Sequence, residues 1–282
     1  RNKVLKILII RLSSLGDVVL TTPVPRLLRK KFPNSEIHFI TKSEYSDIYI
    51  NNNNVNKVIN LEQNLKKTIK FLKSEKYDLV IDLHNNLRSN VIKYSLSVKH
   101  LTYNKQSFAR WLFSNLKIKL VIKHITKSYI ETLNNLDIED DDKGLDLFLH
   151  EKDLYDINKM PIEFRNGFYV LVLGGKYKTK RLPVDKSIEL CDKINRPIVL
   201  IGGKNEYSDS LKIEKFFRRE KDDDDVSDIL NKRTIIHNLC GKLSILESAW
   251  ILKLSNVVYT NDTGFMHIAV SYTHLRAHET RF

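Results

Sequence analysis

The sequence has only two cysteines among its 282 residues, Cys191 and Cys240, and they lack the paired spacing of a zinc or dithiol redox site. The expectation is two reduced structural thiols in a cytoplasmic protein. No apolar run approaches the ~20 residues that span a bilayer. The first residues form a charged strand pattern, not a signal peptide, and the chain opens at Arg1 without methionine, so a missing true start is among the expectations. There is no GxGxxG fingerprint, so a nicotinamide dinucleotide is disfavoured. The glycine–lysine–serine/threonine ending of a P-loop is missing, and no His/Cys/Asp/Glu cluster has metal-ligand spacing. Asp222 to Asp225 reads as a solvated acidic loop, not a metal site. No metal and no cofactor are expected.

What is abundant is positive charge. Lys plus Arg number 47 against 34 Asp plus Glu, a net charge of +13 and a pI near 9.5. This balance suits an anionic partner. The lysines are scattered and no nucleic-acid motif is present, so nucleic acid is not the expected one. Hydrophobic content of 42% and charged content of 29% fit a globular chain long enough for two domains.

The organising stretch is residues 11–23, RLSSLGDVVLTTP. Before it, residues 4–10 are short, apolar and β-branched, as in a parallel strand buried on both faces. A polar loop and a helix follow, and that unit places polar groups at the carboxyl edge of an α/β sheet, where ligands bind. Asp17 falls in the first turn, where free backbone N–H groups stabilise a carboxylate. It is placed either to take a proton from a substrate or to cap the helix. Residues 23–32 read as a helix with Pro23 at its first position; alternatively the helix starts at Asp17 and Pro23 kinks it. Further strands are expected at 36–41, 58–59, 77–83 and 100–103, with helices at 65–74 and 125–136. Residues 139–161 lose periodicity and mark a boundary.

A second α/β series follows, with strands at 168–173, 197–201 and 256–260 and helices near 184–194, 206–219 and 244–253. Its strand ends carry Gly174-Gly175 with Lys180, Gly202-Gly203 with Glu206, and Asp262-Thr263-Gly264 with His267. A glycine pair with one cation suits a diphosphate. A carboxylate after a second pair suits a ribose diol.

Together these pieces resemble glycosyltransferase family 9, the ADP-heptose:lipopolysaccharide heptosyltransferases, over residues 3 to 270. The resemblance rests on Arg11 to Val18, Lys180-Arg181-Leu182-Pro183, Gly202-Gly203 through Glu206, and Asp262-Thr263-Gly264 with His267. It implies an α/β chain of GT-B fold: two facing Rossmann-like domains with a cleft between them, the second incomplete. Residues 1–155 would bind the acceptor, 156–165 form a linker, and 166–270 bind the nucleotide sugar. The implied activity is a metal-independent, inverting transfer of heptose from ADP-heptose to a Kdo-bearing lipid A acceptor. The enzyme would be a cytoplasmic monomer, peripheral at the inner face of the inner membrane.

On this resemblance Asp17 is the general base. Lys180, Glu206, Asp262, Thr263, Gly264 and His267 bind the donor, and Ser13, Ser14, Gly16 and Arg88 the acceptor. Leu182 stands where family members carry tryptophan. Residues 271–282 break the family pattern and are expected to be a non-native tail that does not continue the sheet. The competing readings are a same-fold transferase using another sugar nucleotide, and a non-catalytic basic protein binding nucleic acid or anionic membrane.

Overall fold

The computed structural model describes residues 3–105, 125–175, 181–223, 234–261 and 264–272. Lys180, Asp262, Thr263, the aromatic stretch 108–113 and the tail 273–282 therefore lie outside the described residues. The chain divides into two compact units, Arg1–Phe148 and Leu149–Phe282.

The first unit is built on five parallel strands: β1 (Lys6–Ile10), β2 (Glu36–Thr41), β3 (Lys57–Asn60), β4 (Leu79–Asp82) and β5 (Lys99–Thr102). Their order is β3-β2-β1-β4-β5. Ile10 pairs with Ile40 on one side and with Asp82 on the other. Ile7 through Ile10 are fully buried, as the unbroken apolar run requires of a central parallel strand. Leu8, Ile10, Ile40, Val80, Leu72 and Ile92 pack into one layer of the core. Burial of each such side chain is worth about 1.5–3 kcal/mol.

The helices of this unit are α1 (Leu15–Leu20), α2 (Pro23–Lys31), α3 (Asp47–Ile50), α4 (Leu65–Ser74), α5 (Leu87–Leu96) and α6 (Ile125–Ile130). The two readings of the opening helix resolve into both: α1 ends before Thr21, and Pro23 begins α2. Proline's fixed φ and missing N–H are tolerated only at that first turn. Asn64 caps α4 through the N–H groups of Lys66 and Lys67. The helix expected over 125–136 is instead α6 followed by a 3₁₀ segment, Glu131–Leu136, ending at Asp137 with φ +52°.

The second unit carries β6 (Tyr169–Val172), β7 (Pro197–Ile201), β8 (Ile235–Asn238) and β9 (Val257–Tyr259) in the parallel order β8-β7-β6-β9. Its helices are α7 (Val184–Ile194), α8 (Tyr207–Asp223), α9 (Ile245–Leu254) and α10 (Gly264–Tyr272). Cys191 and Cys240 are free and buried, and burial pushes both thiols up to about 12, so they serve as apolar core atoms. Strand β8, which the sequence pattern does not announce, completes the edge beside β7. No helix among the described residues is long and apolar enough to cross a membrane.

Candidate active site

In each unit the strand order reverses between the first strand and the fourth: between β1 and β4, and between β6 and β9. A ligand crevice forms outside the carboxyl ends of the strands at such a point. In the first unit that point gathers the loop after β1 and the loop after β4.

Asp17 is the third residue of α1. Its Oδ2 accepts from the Ser14 N–H (3.2 Å), the Ser14 hydroxyl (3.0 Å) and Arg11 Nη2 (2.7 Å). The Ser14 contact is the reach of a first-turn carboxylate back to the cap residue. Capping and chemistry are therefore not alternatives here. A cap needs neither of the other two partners: Arg11 from the end of β1, and Tyr129 from α6, whose hydroxyl donates to Oδ1 at 3.1 Å. Oδ2 is saturated, whereas Oδ1 holds this single bond. Oδ1 is the oxygen left to take a proton.

Arg11 is itself fixed. Nη1 donates to the Leu83 carbonyl at 2.6 Å, and the guanidinium lies 5.2 Å from the centre of the Tyr129 ring. The Arg11 side chain is 8% exposed and that of Asp17 32%. Burial pushes the Asp17 carboxyl up, but Arg11, Ser14 and Tyr129 outweigh it and hold the group below the usual carboxylate range. Asp17 is thus ionised at neutral pH and open to solvent on one side.

Ser13 and Ser14 are half-buried, Gly16 is buried in α1, and Arg88 is exposed on the first turn of α5. Arg11 and Tyr129 had no role in the sequence reading. Arg11 stands one residue beyond a buried strand, which was a usable signal; Tyr129 is 112 residues from Asp17, and no local pattern links them.

In the second unit the loops after β6 and β7 meet through Glu206. Its Oε2 accepts from the Gly203 N–H (3.0 Å) and its Oε1 pairs with Arg181 Nη2 (3.0 Å). Arg181 Nε donates to the Gly175 carbonyl at 2.9 Å. Gly174 has φ +110°, and a Cβ there would lie 2.8 Å from Glu206 Cδ, so only glycine fits. Leu173, Gly174, Arg181, Glu206 and Asn261 line a small pocket at this edge. Gly264 starts α10, and His267 is half-buried one turn in.

Among the described residues Glu36, His38 and Glu75 are the cluster with metal-ligand geometry. It sits at the amino end of the first sheet, away from the crevice. Lys6 Nζ already lies 3.1 Å from Glu36 and 2.6 Å from Glu75, supplying the cation these carboxylates need.

The sequence profile of glycosyltransferase family 9 (heptosyltransferase) matches residues 65–274. Lipopolysaccharide heptosyltransferase 1 of Campylobacter coli is 24% identical over 288 residues, covering 94% of this chain and 80% of that protein. The structure of Escherichia coli ADP-heptose lipopolysaccharide heptosyltransferase II aligns with a TM-score of 0.73 at 18% identity, over 95% of this chain and 82% of that one. That of E. coli heptosyltransferase WaaC with ADP aligns at 0.65 and 18% identity, over 95% and 85%. These solved structures share the fold, two Rossmann-like units of the GT-B kind. With the family profile covering most of its length, the chain belongs to glycosyltransferase family 9, the heptosyltransferases, and is a glycosyltransferase.

Proposed function

We propose that this protein transfers heptose from ADP-heptose to the inner core of lipopolysaccharide, with inversion at the anomeric carbon and without a metal ion. The observation that carries the reading is the ionised Asp17 carboxylate at the reversal point of the first sheet, with one oxygen saturated and the other open. The first unit is the acceptor side, with Ser13, Ser14, Gly16 and Arg88 around the acceptor sugar. The second unit is the donor side.

In the transfer, Oδ1 of Asp17 takes the proton of the acceptor hydroxyl as that oxygen bonds to the anomeric carbon. The bond from that carbon to the diphosphate breaks on the opposite face, and ADP leaves. Lys180 and the N–H groups of Thr263 and Gly264 neutralise the departing diphosphate, the charge stabilisation that a metal supplies elsewhere. Asp262 and His267 shape this site. Glu206, positioned by Arg181 and Gly203, accepts from the ribose hydroxyls with its remaining lone pairs.

Relatives that act on lipopolysaccharide and, in one case, bind ADP support this assignment of substrates. The acceptor, a Kdo-bearing lipid A, puts the enzyme at the cytoplasmic face of the inner membrane as a peripheral monomer. The test is transfer by the purified protein from ADP-heptose to Kdo-lipid A, followed by mass spectrometry. Asp17→Asn is expected to lower turnover ~10²–10⁴-fold, the usual worth of a general base, and activity is expected to survive EDTA. Wild-type turnover in Asp17→Asn refutes the base; activity lost to EDTA and restored by magnesium refutes the metal-free route.

A further inference from the structure

The loop after β4 is built with unusual care for a turn that the transfer, as described, does not use. Asp82 is fully buried at the strand's end. Its Oδ1 accepts from the N–H groups of His84 (2.9 Å) and Asn85 (2.9 Å). Its Oδ2 accepts from the Ser89 hydroxyl (3.0 Å) and Lys93 Nζ (3.2 Å). Asn85 adopts φ +45° and its Nδ2 donates to the Tyr103 carbonyl at 2.9 Å. The Leu83 carbonyl is held by Arg11. The backbone at His84 is therefore fixed from both sides, one residue beyond the carbonyl that accepts from Arg11, the ion-pair partner of Asp17.

What this scaffold presents is an imidazole without a partner. His84 is 9% exposed, and its Nδ1 is sealed from solvent with no hydrogen bond. Buried polar atoms are nearly always paired, and an exception at a crevice asks for an explanation. Two more stand at the same edge: Arg11 Nε, just beyond β1, and Thr41 Oγ1, at the end of β2. A neutral imidazole has one N–H and one bare nitrogen. Nδ1 meets no acceptor for a proton, so the proton is assigned to Nε2, the nitrogen not sealed in this way. Burial, Arg11 and Lys105 push the group down to about 4, against the pull of Asp82 and Asp17, which keeps the ring neutral at physiological pH.

We infer that His84 is an acceptor-binding residue whose Nε2–H donates to a hydroxyl oxygen of the acceptor sugar while Asp17 receives the proton of the attacking hydroxyl. It orients the sugar without competing with Asp17 for the proton. This assignment rests on the proposed transfer.

The experiment measures kcat and acceptor KM for the wild type, His84→Ala, His84→Gln and His84→Asn. It uses ADP-heptose and deacylated Kdo-lipid A, with ADP affinity as a control. His84→Ala is expected to raise acceptor KM about three- to tenfold, the worth of one neutral hydrogen bond, with ADP affinity unchanged. Gln carries its amide nitrogen where Nε2 stands and is expected to restore KM to within about twofold; Asn carries it where Nδ1 stands and is not. Should His84→Ala fail to fold, the Gln and Asn pair decides. Unchanged KM in His84→Ala, or equal KM in the Gln and Asn variants, overturns the assignment. Absence of any transfer by the wild type instead overturns the proposed function, and this assignment with it.

Discussion

Arg11→Met tests whether the guanidinium is there for the carboxylate. The substitution keeps most of the side-chain volume and removes two hydrogen-bonded contacts, Nη2 to Asp17 at 2.7 Å and Nη1 to the Leu83 carbonyl at 2.6 Å, together with the guanidinium that faces the Tyr129 ring. Breaking a fully buried ion pair by removing one partner costs ~3–5 kcal/mol. Asp17 keeps a third of its side chain in water and three other donors, which reduces its share to ~1–2 kcal/mol. The Leu83 carbonyl adds ~1 kcal/mol. The total, ~2–3 kcal/mol, lowers the melting temperature of the first unit by about 4–12 °C.

The discriminating variant is the double one. With Asp17→Asn also present there is no carboxylate to leave uncompensated, so Arg11→Met/Asp17→Asn is expected to melt a few degrees above Arg11→Met alone. Acid acts in the same direction. The Asp17 carboxyl is lowered in the folded protein, so its pairing contributes above the ordinary carboxylate range and is lost as pH falls through the folded value. The gap between the wild type and Arg11→Met should therefore narrow in acid, and the acid limb of kcat/KM in Arg11→Met should move to higher pH. Calorimetric melts from neutral to acidic pH read the first expectation. A double variant that melts below the wild type by the sum of the two single losses refutes the coupling.

Lys180→Ala is expected to weaken ADP binding by about one to two factors of ten, the worth of a charge-assisted contact to phosphate; titration calorimetry showing unchanged affinity removes Lys180 from the donor side. Glu75 is held at about 2 by hydrogen bonds from Lys57 and Lys6. Its stabilisation is therefore full above about 4.5 and disappears as pH falls through about 2. Glu75→Gln should then melt below the wild type at neutral pH and converge with it in strong acid; a gap constant with pH shows that the Lys6–Glu36–Glu75 cluster contributes through shape alone.

Much of the fold was legible because parallel sheets write themselves plainly. Residues 7–10 are apolar without alternation, and helix α4 was bounded at the residues where it begins and ends because Asn64 caps it and one face carries Leu65, Ile69 and Leu72. Strand β8 was not legible: Ile235 to Asn238 is only four residues, two of them polar, and its partner β7 lies far away in sequence. Residues 131–136 kept a helical composition, but Asp137 at positive φ tightens that end into a 3₁₀ turn. At the site, Asp17 announced itself through the strand–loop–helix grammar. Arg11 stood in the same motif, but its direction across to Leu83 is a property of the sheet. His84 carried no expectation from the sequence, since an unpaired nitrogen is visible only once all possible partners have been placed.

The bond from Tyr129 to Asp17 also sets a schedule. The ribosome makes the aspartate early and the tyrosine 112 residues later, roughly 6–20 s apart at ordinary elongation rates. The last four strands of the first sheet, β2 to β5, are synthesised in that interval. A nascent chain halted anywhere inside it carries the loop, the arginine and the carboxylate, but not the hydroxyl that completes the carboxylate's surroundings. The finished electrostatic environment of the base therefore reports that every strand of the first sheet has been made.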